Sequence, residues 1–203
     1  MNKCGDTSEF LHLEGSLGIL ALHGGRIEPG TEEIARFVAQ QSRASLYVFS
    51  GRRSVDNLSL HQPSHRMALQ SRPLLFRFLD RVQTAISIHG HGRDQRCVYV
   101  GGLHQVMVQR FAELALEAFP QYVWISDPER IPLDIRGLDP NNIVNLPPAH
   151  GMQLELPKPL RQSRPTSGEE IHVPTGDALA LSHLLVRFVG VMTRGDGRPP
   201  DTG

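Results

Sequence analysis

Cysteine is nearly absent: Cys4 and Cys97 are the two in 203 residues. Two thiols cannot build a disulfide framework, so the expectation is a reduced, cytoplasmic protein. Neither sign of charge is in excess, with 21 basic against 21 acidic residues. Such a chain has no overall field to recruit nucleic acid or an anionic membrane, and neither is expected as a partner. No apolar run approaches the roughly 20 residues that a membrane span requires. The N-terminal stretch carries Asp6, Glu9 and Glu14 and lacks a basic flank before a long apolar segment, which argues against a secretory signal. There is no G-x-x-x-x-G-K-S/T phosphate loop. The Gly-Gly pairs also lack the spacing of a dinucleotide fingerprint, so nucleotide cofactors are disfavoured.

What is present is an ordinary globular composition, 39% hydrophobic and 21% charged, enough for one domain with a substantial core. Residues 1–16 read as a polar, irregular, flexible segment. From there strands and helices alternate with short connections. Strands are expected at 17–22, 45–49, 85–88, 98–100, 122–125 and 152–156. Helices are expected at 31–41, with Thr31 as N-cap, then around 74–82, 103–119 and 179–192. This order predicts an α/β fold: a single domain over 17–194 with a central mixed, mostly parallel sheet flanked by helices. The Gly/Pro/Asp stretch 195–203 reads as a disordered tail.

Ten histidines are a rich supply, and position separates them. The apolar run Ile19-Leu20-Ala21-Leu22 stops at His23, followed by Gly24-Gly25 and then Glu28. A second run, Ile86-Ser87-Ile88, stops at His89, again followed by glycine. Ligands of α/β sheets bind beyond the carboxyl ends of strands, so two strand-terminal imidazoles can meet at one rim. With Glu28 they would form a two-histidine, one-glutamate set, which suits zinc with a position left for water. In Gly151-Met152-Gln153-Leu154-Glu155-Leu156, alternation puts Gln153 and Glu155 on one face, and a glutamate in a buried strand needs compensation. A cleft holding a metal-activated water would supply it, with Glu155 as general base. Taken one at a time, each residue also admits a plainer role. A strand-end histidine can be structural, Glu28 a solvated loop acid, and Glu155 an ion-pair partner of Arg161.

The segments ALHGGRIEPGTEEIA (21–35), SLYVFSG (45–51), AISIHG (85–90), VYVGG (98–102), NNIVN (141–145) and GMQLELPKPLR (151–161) resemble the poly-γ-glutamate hydrolase family, in the family's order. That resemblance implies a zinc peptidase, phage-type in its founding examples and related in fold to zinc carboxypeptidases. By it, His23, Glu28 and His89 are the zinc ligands, Glu155 is the general base and acid, and the substrate is a γ-glutamyl or similar acidic amide. Leu146 stands where the family pattern leads us to expect an arginine for a substrate carboxylate, and Leu60 to Met67 follow the pattern only in part. A cation is also wanted where the oxyanion forms. Arg161 is the first candidate, with Arg52 and Arg53 next. His61, His65 and His91 carry no assigned role. The alternatives are a deacylase of a small N-acyl amino acid and a non-catalytic binding protein on the same fold.

Overall fold

Parallel pairing in the middle of the sheet decides where the site can lie. A computed structural model describes residues 2–67, 71–165 and 172–194. Five strands form the part of the sheet that concerns the site: β3 (Leu17–Gly25), β4 (Ser45–Gly51), β5 (Thr84–Gly90), β6 (Cys97–Gly101) and β8 (Gly151–Leu156). With β1 (Asn2–Cys4), β2 (Thr7–His12) and β7 (Val123–Ile125) they make one eight-stranded sheet, ordered β1-β2-β4-β3-β5-β8-β6-β7. The run β4-β3-β5-β8 is parallel throughout, as is the β6-β7 pair. Antiparallel pairing joins β8 to β6, and β1 and β2 to the opposite edge. A small hairpin, β9 (Ser163–Pro165) with β10 (His172–Pro174), stands apart.

The central strands are apolar on both faces because both faces are covered. Ile19, Ala21, Ile86, Ile88, Met152 and Leu154 belong to one core cluster. Against them pack the apolar stripes of α1 (Thr31–Ser42), α4 (Gln105–Ala118) and α5 (Asp177–Arg194), through Ile34 and Val38, Met107 and Phe111, and Leu181, Leu185 and Phe188. The opposite cluster joins Leu20, Leu22, Tyr47 and Phe49 to α3 (Pro73–Arg81) through Leu75 and Phe78, and to Ile143 and Val144 of a single 3-10 turn. Each buried Leu, Ile or Phe contributes about 1.5–3 kcal/mol, so this packing, not local propensity, fixes the strand register. None of the helices among the described residues is long and apolar enough to cross a membrane.

Two expectations are corrected. The N-terminal segment read as irregular forms β1 and β2, and Phe10 and Leu11 of β2 pack toward opposite clusters. Its order comes from pairing with β4 nearly forty residues away, which no local pattern reveals. Thr31 is not the N-cap of α1. Gly30 takes that position at φ 95, and the Thr31 hydroxyl donates back to the Glu28 carbonyl at 2.8 Å. The stretch 195–203 lies outside the described residues.

Candidate metal centre

The rim of the parallel strands carries the four residues singled out by the sequence. β3 runs three residues past its expected end, and a register shift against β4 falls between Ala21 and Gly24, at His23. A bulge of this kind re-aims a side chain, and His23 sits in it. The chain then turns through Gly24-Gly25, and Glu28 returns with its amide on the His23 carbonyl at 2.9 Å. His89 and Glu155 are direct neighbours in the β5–β8 register, so their side chains share a face.

His23, Glu28 and His89 each present a ligand atom within 4.8 Å of the others, and all three are buried. Nδ1 of His23 lies 2.9 Å from Glu28 Oε1 and 3.1 Å from Nδ1 of His89. The outer nitrogens are already held. Nε2 of His23 donates to the Gln62 carbonyl at 2.7 Å, and Nε2 of His89 meets the Ser87 hydroxyl at 2.8 Å. A carbonyl can only accept, so His23 carries its proton on Nε2, and its Nδ1 lone pair faces a carboxylate oxygen. Two lone pairs at that distance need a proton or a cation between them. A borderline divalent ion such as zinc, taking two imidazole nitrogens and one carboxylate oxygen, fits the donor set. The second oxygen of Glu28 accepts the Gly90 amide at 2.8 Å, which fixes the carboxylate's rotation.

The electrostatics of the cluster run in opposite directions for its two carboxyls. Burial alone would raise Glu28. The His23 charge and hydrogen bonds from His23, His61 and His89 outweigh it and hold this carboxyl well below the usual range. Burial pushes Glu155 well above that range, and the negative charge of Glu28 adds to the rise. Burial opposes protonation of His23, yet Glu28 outweighs it and the net shift is upward; His89, with burial dominant, shifts down. Two acids pushed apart in this way suit one as ligand and the other as proton carrier.

His89 and Glu155 are each oriented by the residue two positions earlier on the same strand face. Ser87 does this for His89, and Gln153 for Glu155, its Nε2 donating to Oε1 at 2.8 Å. Asn142 in turn donates to Gln153 Oε1 at 3.0 Å. Ser87, Gln153, Asn142 and Gln62 received no role in the sequence reading. The available signal was polar residues alternating into otherwise apolar strands; nothing local marked Gln62.

Arg161 does not face the cavity. Its guanidinium donates to three backbone carbonyls, of Leu156 at 3.1 Å, Pro29 at 2.8 Å and His91 at 3.3 Å. It clamps the ends of β8 and β5 to the loop after Glu28, with three of its donors committed to backbone carbonyls and not to the cavity. Gly30, with positive φ, and Gly90 make room for it: a Cβ at either would overlap Arg161. Arg52 is paired with the buried Glu32 at 3.0 Å and Arg53 with Asp6 at 2.6 Å, and neither lines the cavity. His91 spends both ring nitrogens locally, on the Cys97 carbonyl and the Arg93 amide. The cavity, about 480 Å³, is lined by His23, Glu28, His89 and Glu155 and further by His61, His65 and Arg93. Leu146 is not among its walls. The arginine at the cavity is Arg93, paired with Asp134 at 2.7 Å, while the His61 ring packs 3.9 Å from His23.

A family model described as poly-gamma-glutamate hydrolase matches residues 9–168, most of the chain. The chain belongs to this family. Among curated Bacillus subtilis (strain 168) proteins, it is 32% identical to the UPF0714 protein YndL over 128 residues, 63% of this chain and 47% of that protein. It is 30% identical to the SPbeta prophage-derived UPF0714 protein YoqZ over 146 residues, 72% of this chain and 50% of that protein. The chain thus spans about half the length of these relatives. Two solved structures share the fold. One is described as the zinc-free apo form of YndL, with TM-score 0.78 at 24% identity over 93% of this chain and 92% of that one. The other is a bacteriophage poly-gamma-glutamate hydrolase, with TM-score 0.79 at 21% identity over 95% and 93%.

Proposed function

We propose that this chain is a zinc-dependent hydrolase of γ-glutamyl amide bonds. The observation that carries the reading is the convergence of two Nδ1 atoms and the Glu28 carboxylate, with both outer ring nitrogens held by other groups. That is how protein metal sites orient histidine. The family assignment and the zinc-free description of the YndL structure support the choice of ion and of substrate class.

Bound by His23, Glu28 and His89, zinc would supply Lewis-acid polarisation of the scissile carbonyl and bring the pKa of water toward about 7. The remaining work falls to the chain. Gln153 pins Oε1 of Glu155, leaving Oε2 to take a proton from the attacking water and return it to the leaving amine. Burial makes Glu155 a stronger base than a solvated carboxylate, as this step requires. With the Arg161 guanidinium committed to backbone carbonyls, the cavity-lining donors available to the oxyanion include His61 and Arg93. Arg93 at the cavity also suits a substrate that carries carboxylates.

The test is a panel of γ- and α-linked glutamyl amides and simple N-acyl amino acids, assayed with zinc, after chelation, and after zinc is restored. The proposal expects zinc-dependent release from the γ-linked amides. Turnover of N-acyl amino acids alone, or turnover indifferent to chelation, would contradict it.

A further inference from the structure

The wall of the cavity opposite β5 is a loop with little apolar anchorage. Between Gly51 and α2 (Ser64–Met67) the chain exposes Val55 and Leu58 at 74% each, and Leu60 is the one apolar side chain there that packs on a core cluster. Yet this loop supplies His61 and the carbonyl that fixes His23, and α2 adds His65 to the cavity. Leu60 and, in α2, the buried Met67 anchor this stretch on a core cluster; between them, the Gln62 carbonyl needs a polar hold of its own.

We infer that Arg72 and Glu9 form a buried latch that positions the Gln62 carbonyl, and through it the Nδ1 face of His23, for zinc. Gln62 is bonded twice. Its carbonyl accepts from His23 Nε2, and its side-chain Oε1 accepts from Arg72 at 2.9 Å. Arg72 also donates to the Glu9 carboxylate on β2, and its guanidinium lies 4.5 Å from the centre of the Phe49 ring on β4. Arg72 is buried and Glu9 largely covered, with side chains 10% and 14% exposed, so water does not compete strongly for the pair. The guanidinium is planar and always charged, and it reaches a carboxylate and an amide oxygen together while stacking on an aromatic ring, which an ammonium would not do equally well. Three distant segments, β2, β4 and the 57–67 loop, are thereby tied together at the position of one carbonyl. If that carbonyl moves, the imidazole loses the acceptor that keeps its proton on Nε2, and Nδ1 ceases to be a dedicated donor to metal. Arg72, Glu9 and Gln62 are not among the residues that line the cavity. They are positioning residues, and the strand carrying Glu9 belongs to the N-terminal segment that reads as irregular and flexible in the sequence.

This inference rests on the zinc reading of the site, and two measurements separate their failures. Zinc affinity of the full chain is measured by chelator competition for wild type, Gln62→Met, and the paired variant Glu9→Gln with Arg72→Met, which removes both charges and leaves neither buried alone. The His23 tautomer is read from ring ¹⁵N shifts of the metal-free protein at a pH above the raised His23 pKa, where the ring is neutral. Both variants are expected to bind zinc at least about tenfold more weakly and to lose the pure Nε2–H tautomer. The thermal midpoint of Gln62→Met should not track that loss, since this variant leaves every core contact in place. Affinity within twofold of wild type together with an unchanged tautomer in Gln62→Met would overturn the latch. If the wild type takes up no zinc, the parent reading fails, and the tautomer alone decides whether the latch acts on His23.

Discussion

Replacing Glu155 with glutamine should damage turnover and, at the same time, stabilise the metal-free protein. The side chain is 5% exposed, and burial with the nearby Glu28 charge raises its pKa well above the usual value of 4.5. A carboxyl whose folded pKa is raised binds protons more tightly in the native state. Its favourable contribution is complete below about pH 4.5 and is lost as pH rises toward the folded value. Over that window the wild type should lose up to about 1.4 kcal/mol per pH unit relative to Glu155→Gln, which carries no ionisable group there. For a chain of this length the difference amounts to roughly 3–6 °C in Tm per pH unit. Glu28, held low, is ionised through this window and adds no slope, and both proteins share His23 and His89, so the difference between their melts isolates Glu155. A nearby divalent cation favours the ionised carboxylate, so zinc should flatten the wild-type profile. In the zinc-loaded enzyme the same variant should lose about a thousandfold in kcat, some 4 kcal/mol of barrier, with metal content unchanged. The assays are thermal melts of chelated protein from pH 5 to 8 and steady-state hydrolysis. Parallel melting profiles for the two proteins, or unaltered turnover in the variant, would refute the reasoning.

Three further outcomes follow from the geometry. His23→Ala reduces the protein ligands from three to two and should drop bound zinc well below one per chain by elemental analysis; unchanged content would make His23 structural. Ser87→Ala leaves the ligand set intact but frees the outer nitrogen of His89, and chelator competition should show about ten- to a hundredfold weaker zinc binding. Gly30→Ala places a side chain at φ 95 against the Arg161 backbone, so the clamp must shift. A loss of about 2–4 kcal/mol is expected, read as a drop in Tm of roughly 5–15 °C.

The parts of the molecule legible in the sequence are those whose cause is local. Strand-terminal His23 and His89, each followed by glycine, announced themselves by position, and the alternation in Gly151–Leu156 correctly paired Gln153 with Glu155 on one face. The helices over Thr31–Ser42 and Asp177–Arg194 were visible in their apolar stripes. What could not be read depends on partners far along the chain. β2 is a strand because β4 accepts it, and Arg161 is a clamp because Pro29 and His91 bring their carbonyls to it. The same holds for Gln62, whose importance lies in a backbone carbonyl that every residue possesses. Sequence reasoning sorted residues by side-chain chemistry, and the three backbone carbonyls that engage Arg161 leave no mark in that chemistry.

The central claim is that His23, Glu28 and His89 hold one catalytic zinc ion. Anomalous scattering at the zinc edge from crystals of the zinc-loaded protein tests it most directly. The account predicts one strong peak per chain within coordination distance of Nδ1 of His23, Nδ1 of His89 and the Glu28 carboxylate. A peak elsewhere, or none at this cluster in protein that hydrolyses its substrate, would contradict it.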